Sequence, residues 1–227
     1  PQEGRPTGGL SLKRYWSYRH VVEQGARDPF RTEVEALGAV AEALGQAVAD
    51  QSIADVPVGA FLSGGIDSST VVALYQRSAS VPVRTFSIGF EEQGFNEAEH
   101  ARVVADHLGT VHQEHIVTAR EAQEVIPLLP TMYDEPFADS SQIPTFLVSR
   151  FARESVTVAL TGDGGDELFA GYNRHIMAPA LWGRLSRVPA PVRAIAGHAL
   201  GRLPSRFWST ALGLLPGHHP PHAGARL

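Results

Sequence analysis

The stretch FLSGGIDSSTVVAL, Phe61 to Leu74, constrains this chain more than any other. Apolar residues lead into it and helix-forming residues leave it, so a strand must become a helix across two adjacent glycines. Gly64 and Gly65 let the backbone turn tightly and approach a ligand with no Cβ in the way. The helix that follows offers unpaired N–H groups and the positive end of its dipole, which suit a phosphate. Ser63, Ser68 and Ser69 add hydroxyl donors. Asp67 has the wrong charge for a phosphate unless a cation stands between them, so it points to Mg²⁺ with a polyphosphate. Gly, Asp and Ser also dominate ordinary turns, and one such loop decides little.

A second loop changes the balance. TGDGGDE, Thr161 to Glu167, crowds Asp163, Asp166 and Glu167 together with three glycines around them. Like charges that close need a cation, exposure or a raised pKa to coexist. A Mg²⁺ shared by Asp67 and Asp166 is the simplest account. Neither loop spells GxxxxGK[ST] or GxGxxG, so the two commonest nucleotide motifs are excluded.

The surrounding pattern places both loops. Val34, Leu37, Ala41, Leu44 and Val48 recur at three and four, which predicts an amphipathic helix from Glu33. VPVGAFL, VRTFSIGF, VHQEHIV and VTVAL read as strands. Between them lie a helix after SGGID, a helix capped by Asn96 that runs to about Leu108, a helix TAREAQEVIPLL disturbed by Pro127, and a helix from Ile143 to Arg153. Strands alternating with helices mean βαβ units and a parallel sheet, an α/β fold. In such sheets ligands bind beyond the carboxyl ends of the strands, where both loops sit. The first 32 residues lack a period and read as a linker, with Tyr15 and Trp16 packing it onto the domain. From about Ile176 short helical segments are punctuated by Pro189, Pro191, Pro204 and Pro216.

Composition removes other readings. The formal net charge of -5 shows no basic surface for nucleic acid. Without cysteine there is no disulfide, thiolate zinc site or cysteine nucleophile. No apolar run approaches the roughly 20 residues that span a bilayer, and the N-terminal stretch lacks the apolar core of a signal peptide, so the cytoplasm is the expected setting. A start at Pro1 suggests a piece of a longer chain. His218, His219 and His222 read as a solvated Pro-rich loop, and His107, His112 and His115 as surface or cap residues. Tyr172 and Asn173 read as packing residues as readily as pocket residues.

At SGGIDSS the chain resembles the pyrophosphate-binding loop of the N-type ATP pyrophosphatases, which cleave ATP between the α and β phosphates to make an adenylate. GMP, NAD, argininosuccinate and asparagine synthetases share that loop. DVPVGAFLSGGIDSSTVVAL, TFSIGF, FNEAEHARVVADHLGTVHQEH, YDEPFADSSQIPTFLVSR and TGDGGDELFAGYNRH follow in the order typical of glutamine-hydrolysing asparagine synthetases. The likeness is close from about Tyr15 to His175 and looser beyond. It implies a parallel sheet flanked by helices in the adenine nucleotide α-hydrolase-like (HUP-type) fold. It also implies a reaction in which an aspartate carboxylate attacks MgATP to give β-aspartyl-AMP and pyrophosphate, and ammonia from a glutaminase domain then displaces AMP.

Carried onto this sequence, Ser63, Gly64, Gly65, Asp67, Ser68 and Ser69 hold the pyrophosphate. Leu62, Ile88 and Gly162 frame the adenosine, with Thr161 among the nucleotide contacts. Asp67 and Asp166 bind Mg²⁺, and Glu97 matches an acidic position near the phosphates. Asp67 and Asp163 are the expected catalytic carboxylates. The organisation expected is a linker over 1–32 after a glutaminase domain, a synthetase domain over 33–175 and a truncated helical subdomain over 176–227. A homodimer is compatible with this reading.

Three departures qualify the resemblance. The glutaminase nucleophile of these enzymes is an N-terminal cysteine, and this chain has none. They use a lysine well after the second loop to steady the adenylate. The only lysine here is Lys13, and an arginine fork does not replace a compact ammonium. The chain is therefore expected to stop short of that lysine and to be incomplete as a ligase alone. Finally, those synthetases carry glutamate where this chain has Asp163, a position tied to amino transfer at which β-lactam synthetases also differ. Two rivals follow: an amidotransferase acting on another carboxylate, such as a sugar acid or natural-product intermediate, and a catalytically incomplete nucleotide-binding fragment.

Overall fold

A computed structural model describes residues 13–91, 98–136 and 139–202. Contacts divide the chain into two units, Pro1–Asp163 and Gly164–Leu227. The first holds four strands: β1 (Val58–Phe61), β2 (Arg84–Phe90), β3 (Val111–Val117) and β4 (Val158–Leu160). They form one sheet in the order β3-β2-β1-β4, every pair parallel, with Gly59 opposite both Arg84 and Ala159. The expected α/β parallel sheet is thus present. Both β1 and β4 are shorter than VPVGAFL and VTVAL suggest, and the Thr157 and Val158 N–H groups both donate to the Pro57 carbonyl where the two strands begin.

Side chains leave alternate faces of a strand, and the core divides accordingly. Ala60, Leu62 and Val83 face a cluster containing Val48 of α2 (Glu33–Gln51), Val72 of α3 (Ile66–Ser78), and Ala101 and Ala105 of α4 (Ala98–Leu108). On the other face Phe61 and Phe86 meet Ala152 and Phe151, and Ile88 and Val117 meet Val125 of α5 (Ala119–Val125) and Leu147 of α7 (Gln142–Ala152). Phe86 is wholly buried, and truncating such a ring costs about 3–5 kcal/mol. Helices therefore cover both faces of the sheet.

The helix boundaries follow their sequence signals. Thr32 caps α2 by accepting the Glu35 N–H. Thr118 and Glu121 form a reciprocal capping box at the start of α5. Pro127 breaks the helix as expected: α5 stops at Val125, a 3₁₀ turn occupies Ile126–Leu128, and α6 covers Leu129–Met132. The Asn96 cap lies outside the described residues.

Two expectations are corrected. The apolar stripe of α2 is buried only toward its C-terminal end, where it meets α3. Val34 and Leu37 are 81% and 61% exposed. The aperiodic N-terminal stretch contains a helix, α1 (Tyr18–Arg27), with no buried residue. Tyr15 and Trp16 do not pack it onto the unit: Tyr15 is 99% exposed, and the ring contact of Trp16 is with Tyr18, 6.4 Å away between centroids.

The second unit contains α8 (Gly165–Phe169), α9 (Asn173–Leu185) and α10 (Ala190–Gly201). Pro189 caps α10, and Arg193 ties the connection between α9 and α10. Its guanidinium donates to the Leu185, Ser186 and Val188 carbonyls and lies over the Trp182 ring at 4.9 Å. Pro204, Pro216 and the three histidines of PGHHPPH lie outside the described residues. Among the described residues, no helix is long and apolar enough to cross a membrane.

Candidate active site

The turn after β1 is built by space as much as by hydrogen bonds. Leu62, 1% exposed, extends the ladder by donating its N–H to the Phe86 carbonyl at 2.9 Å. The chain then reverses at Gly64, whose φ of +79° favours glycine. A Cβ there would lie 2.7 Å from His100 Cβ and 2.8 Å from the Ala101 nitrogen on α4. Gly65 caps α3 without a side chain, so the first-turn N–H groups of α3 receive no capping oxygen.

Two serines close the turn on itself. Ser63 Oγ and Ser68 Oγ are 2.9 Å apart, and the Ser63 N–H donates to Ser68 Oγ at 3.2 Å. The Gly65 N–H donates to Ser63 Oγ, while Ser68 Oγ donates to the Gly65 carbonyl. Ser69 behaves differently: its Oγ is buried with no hydrogen-bond partner, and the residue lines a groove between α3 and α4 with Thr70, Ala73, Val104 and Leu108. Asp67, on the first turn of α3, is partly buried, and its carboxylate forms no hydrogen bond or ion pair among the described residues.

The second loop begins against the first. A Cβ on Gly162 would lie 2.6 Å from the Ser68 nitrogen and 2.9 Å from the Asp67 carbonyl carbon. The chain leaving β4 therefore rests directly on the start of α3. Thr161 Oγ1 donates to Asp163 Oδ2 at 3.1 Å and accepts the Asp163 N–H at 3.3 Å, which folds that carboxylate back over the turn. Ile88 is half-buried among Phe90, Val117 and Leu147. Leu62, Ser63, Gly64, Gly65, Asp67, Ser68, Thr161, Gly162 and Asp163 thus gather at the carboxyl ends of β1 and β4, within one unit.

Asp166 belongs to the second unit, where Gly164 enters α8 with φ +91°. Asp166 and Glu167 occupy the first turn of that helix, and a side chain on Gly171 would strike the Asp166 carboxylate. The Tyr172 hydroxyl donates to Glu167 Oε1, and the Arg174 guanidinium lies 3.9 Å from the Tyr172 ring centre. This hydrogen bond holds the Glu167 carboxyl below the usual carboxylate range and raises the Tyr172 phenol. Tyr172 is therefore a partner of Glu167, where the sequence left packing and pocket roles open. Glu97 lies outside the described residues.

Sequence reasoning missed two histidines. His112 has both ring nitrogens within hydrogen-bond distance of β2 hydroxyls, 3.0 Å from Thr85 Oγ1 and 3.2 Å from Ser87 Oγ, and burial pushes its pKa down. His115 Nε2 pairs with Glu121 Oε1 at 3.1 Å, and its ring packs on Phe151. His112 is not the surface or cap residue expected. His115, with its side chain 39% exposed and paired to the capping-box residue Glu121, keeps that character, and only its partners were unforeseen. The parallel register of Thr85 with His112 was the signal, and it exists only once β2 and β3 are paired.

Among the described residues no group of three or more His, Asp or Glu side chains is arranged to hold a metal ion. Magnesium does not require one, since it commonly takes one or two carboxylates and completes its shell with phosphate oxygens and water. The residues fit that demand in two respects: a carboxylate at Asp67 with no partner among the described residues, and glycine backbone at the places where a Cβ would fill the turn.

Known proteins resemble this chain in the same region. The glutamine-hydrolysing asparagine synthetase 1 of Bacillus subtilis is 34% identical over 200 residues, which is 88% of this chain and 30% of that protein. The enzyme of the same description from Lotus japonicus is 36% identical over 155 residues, covering 62% of this chain and 26% of that protein. The chain thus spans about 30% of the length of the first of these relatives. Among solved structures, the NH3-dependent NAD synthetase of Campylobacter jejuni, in complex with a nitrate ion, aligns with a TM-score of 0.41 and 17% identity over 60% of each chain. The asparagine synthase family profile matches residues 39–218, the sheet and both glycine turns included, and this chain belongs to that family.

Proposed function

We propose that this chain is the ATP-binding, adenylate-forming region of an asparagine synthetase-like ligase. The observation that carries the reading is the seat of Gly162 on the backbone of Asp67 and Ser68, which brings two turns at strand ends together. Ser63, Gly64, Gly65, Ser68 and the first turn of α3 are proposed to bind the pyrophosphate, with Ser69 carried as a further hydroxyl on that helix. Leu62, Ile88, Thr161 and Gly162 border the nucleoside. Asp67 in the first unit and Asp166 in the second are each proposed as magnesium ligands, with Glu97 as a further acidic residue. Bound magnesium would neutralise polyphosphate charge, which lets an anionic carboxylate approach.

The chemistry is two displacements. A carboxylate oxygen of aspartate forms a bond to the α-phosphorus, and the bond to the α–β bridging oxygen breaks, releasing pyrophosphate. Ammonia then attacks the acyl carbon of β-aspartyl-AMP, AMP leaves with the acyl C–O electron pair, and a proton is lost. The turn's task is to hold the leaving pyrophosphate by charge and N–H donors already in place. Ammonia is proposed to come from a glutaminase domain of the whole protein. Asp163 is proposed as the carboxylate that serves the second step.

Asp163 also favours a second reading. The resemblance sets it where asparagine synthetases carry glutamate, and the shorter carboxylate is compatible with ammonia chemistry while leaving the acid acceptor open. Pyrophosphate release from MgATP in the full-length protein, with ammonium as nitrogen source, separates the two. Release that requires L-aspartate supports the first reading, and release with a sugar acid in its place supports the second. Tight MgATP binding without release from any acid contradicts both.

A further inference from the structure

Beneath α4 a row of hydroxyls and one imidazole crosses from β3 to β2. Thr110 Oγ1 donates to the Ala105 carbonyl at 3.5 Å and lies 2.9 Å from Thr85 Oγ1. Thr85 Oγ1 is 3.0 Å from His112 Nδ1, and His112 Nε2 is 3.2 Å from Ser87 Oγ. Thr85 is fully buried and Ser87 nearly so. A neutral imidazole has one donor and one acceptor nitrogen, which gives the row a direction. With its hydrogen on the Ala105 carbonyl, Thr110 accepts from Thr85; Thr85 then accepts from Nδ1–H, and Nε2 accepts from the Ser87 hydroxyl. In the opposite direction Ser87 has no acceptor among the described residues, and a buried orphan hydroxyl is disfavoured.

We infer that His112, as the neutral Nδ1–H imidazole, is a positioning residue that seats α4 on β2 and β3 and thereby fixes the turn at Gly64. Ala98, Ala101 and Ala105 of α4 are fully buried, so the helix lies close to the sheet and its height is set by what lies beneath it. The atoms of His100 and Ala101 that a Gly64 side chain would strike lie on that same helix, one turn before Ala105. Protonation puts hydrogen on both ring nitrogens. Ser87 can then no longer donate to Nε2, and a cation sits under α4.

The charged groups facing the ring offer it little. Glu114 on β3 is held in a two-pronged pair with Arg102 of α4, at 2.8 to 3.2 Å, and Asp106 of α4 is exposed. β2 contributes only the neutral Thr85 and Ser87. Burial therefore outweighs these charges and lowers the His112 pKa from 6.5. With a depressed folded-state value, the stabilisation is fully present above pH 6.5 and is lost as pH falls below it.

The consequence at the turn rests on the proposed pyrophosphate role, whereas the seat itself can be read separately. In the 227-residue chain carrying nitrogen-15 histidine, long-range proton–nitrogen spectra above pH 6.5 should show hydrogen on His112 Nδ1 and a bare Nε2. Hydrogen on Nε2 instead overturns the inference. With magnesium pyrophosphate as the calorimetric probe, the affinity of wild type relative to His112→Gln should hold above pH 6.5 and fall about threefold or more at the lower pH where the same spectra show the ring protonated. The probe's own titration is common to both proteins and cancels in that ratio. A ratio independent of pH overturns the positioning role.

Ser87→Ala keeps the ring but removes its donor to Nε2, which eases protonation. Its affinity step should move to higher pH, and an unmoved step contradicts the assigned direction. This variant also decides the matter if His112→Gln does not fold. If wild type binds no magnesium pyrophosphate at any pH, the proposed function fails. The seat is then decided by amide protection along α4, which should drop with pH in wild type; unchanged protection overturns it.

Discussion

The turn after β1 and the turn after β4 share a composition but use their glycines for different ends. At Gly64 two requirements coincide, a positive φ and contact with α4 within 3 Å of any added carbon. At Gly162 only space matters, because its neighbour is the backbone of Ser68. At Gly164 only conformation matters, since φ is +91° and nothing lies within 4 Å of an added Cβ. A glycine-rich motif is thus a mixture of positions needed for closeness and positions needed for bending. Closeness defines the proposed site.

That comparison can be broken by substitution. Gly64→Ala meets both penalties and should destabilise the chain by about 2–5 kcal/mol in urea unfolding, strain added to overpacking. Gly162→Ala should cost about 1–3 kcal/mol and should also weaken magnesium-pyrophosphate binding, because the Ser68 backbone must shift. Gly164→Ala should cost only about 1–2 kcal/mol. If all three lost the same stability, the distinction between space and conformation would be wrong.

The acid limb of stability sharpens the picture away from the turns. Glu121 accepts the Thr118 N–H, the Thr118 hydroxyl and His115, which lower its pKa to about 2. A depressed carboxylate stabilises above its ordinary value of 4.5 and loses that contribution as pH falls through about 2. Glu121→Gln should therefore flatten the fall of the unfolding midpoint over that window. The smallest effect is expected at Tyr172→Phe, which removes the donor to Glu167. The Glu167 carboxyl should then titrate closer to 4.5 by NMR, with little change in thermal stability.

Much of the fold was legible because its signals are local. Glycine turns, the apolar strands and Pro127 each act within a few residues, and each element stands close to where the pattern predicts it. The failures are non-local. The stripe of α2 is apolar along its length, but whether Val34 or Val48 is covered depends on where α3 ends. Helix α1 has a strong amphipathic order hidden among Pro, Gly and aromatic neighbours, which makes the segment resemble a linker in sequence. His112 was unreadable for the same kind of reason, since its partners are Thr85 and Ser87, 25 to 27 residues away.

The central claim is that the two turns bind a magnesium polyphosphate through Asp67 and the first turn of α3. Calorimetric titration of the chain with pyrophosphate, with and without magnesium, tests it most directly, beside Asp67→Asn. The account predicts binding that requires magnesium and falls at least about tenfold in the variant, which is about 1.4 kcal/mol. Magnesium-independent binding that Asp67→Asn leaves unchanged or tightens would contradict it, leaving a plain anion site at a helix terminus.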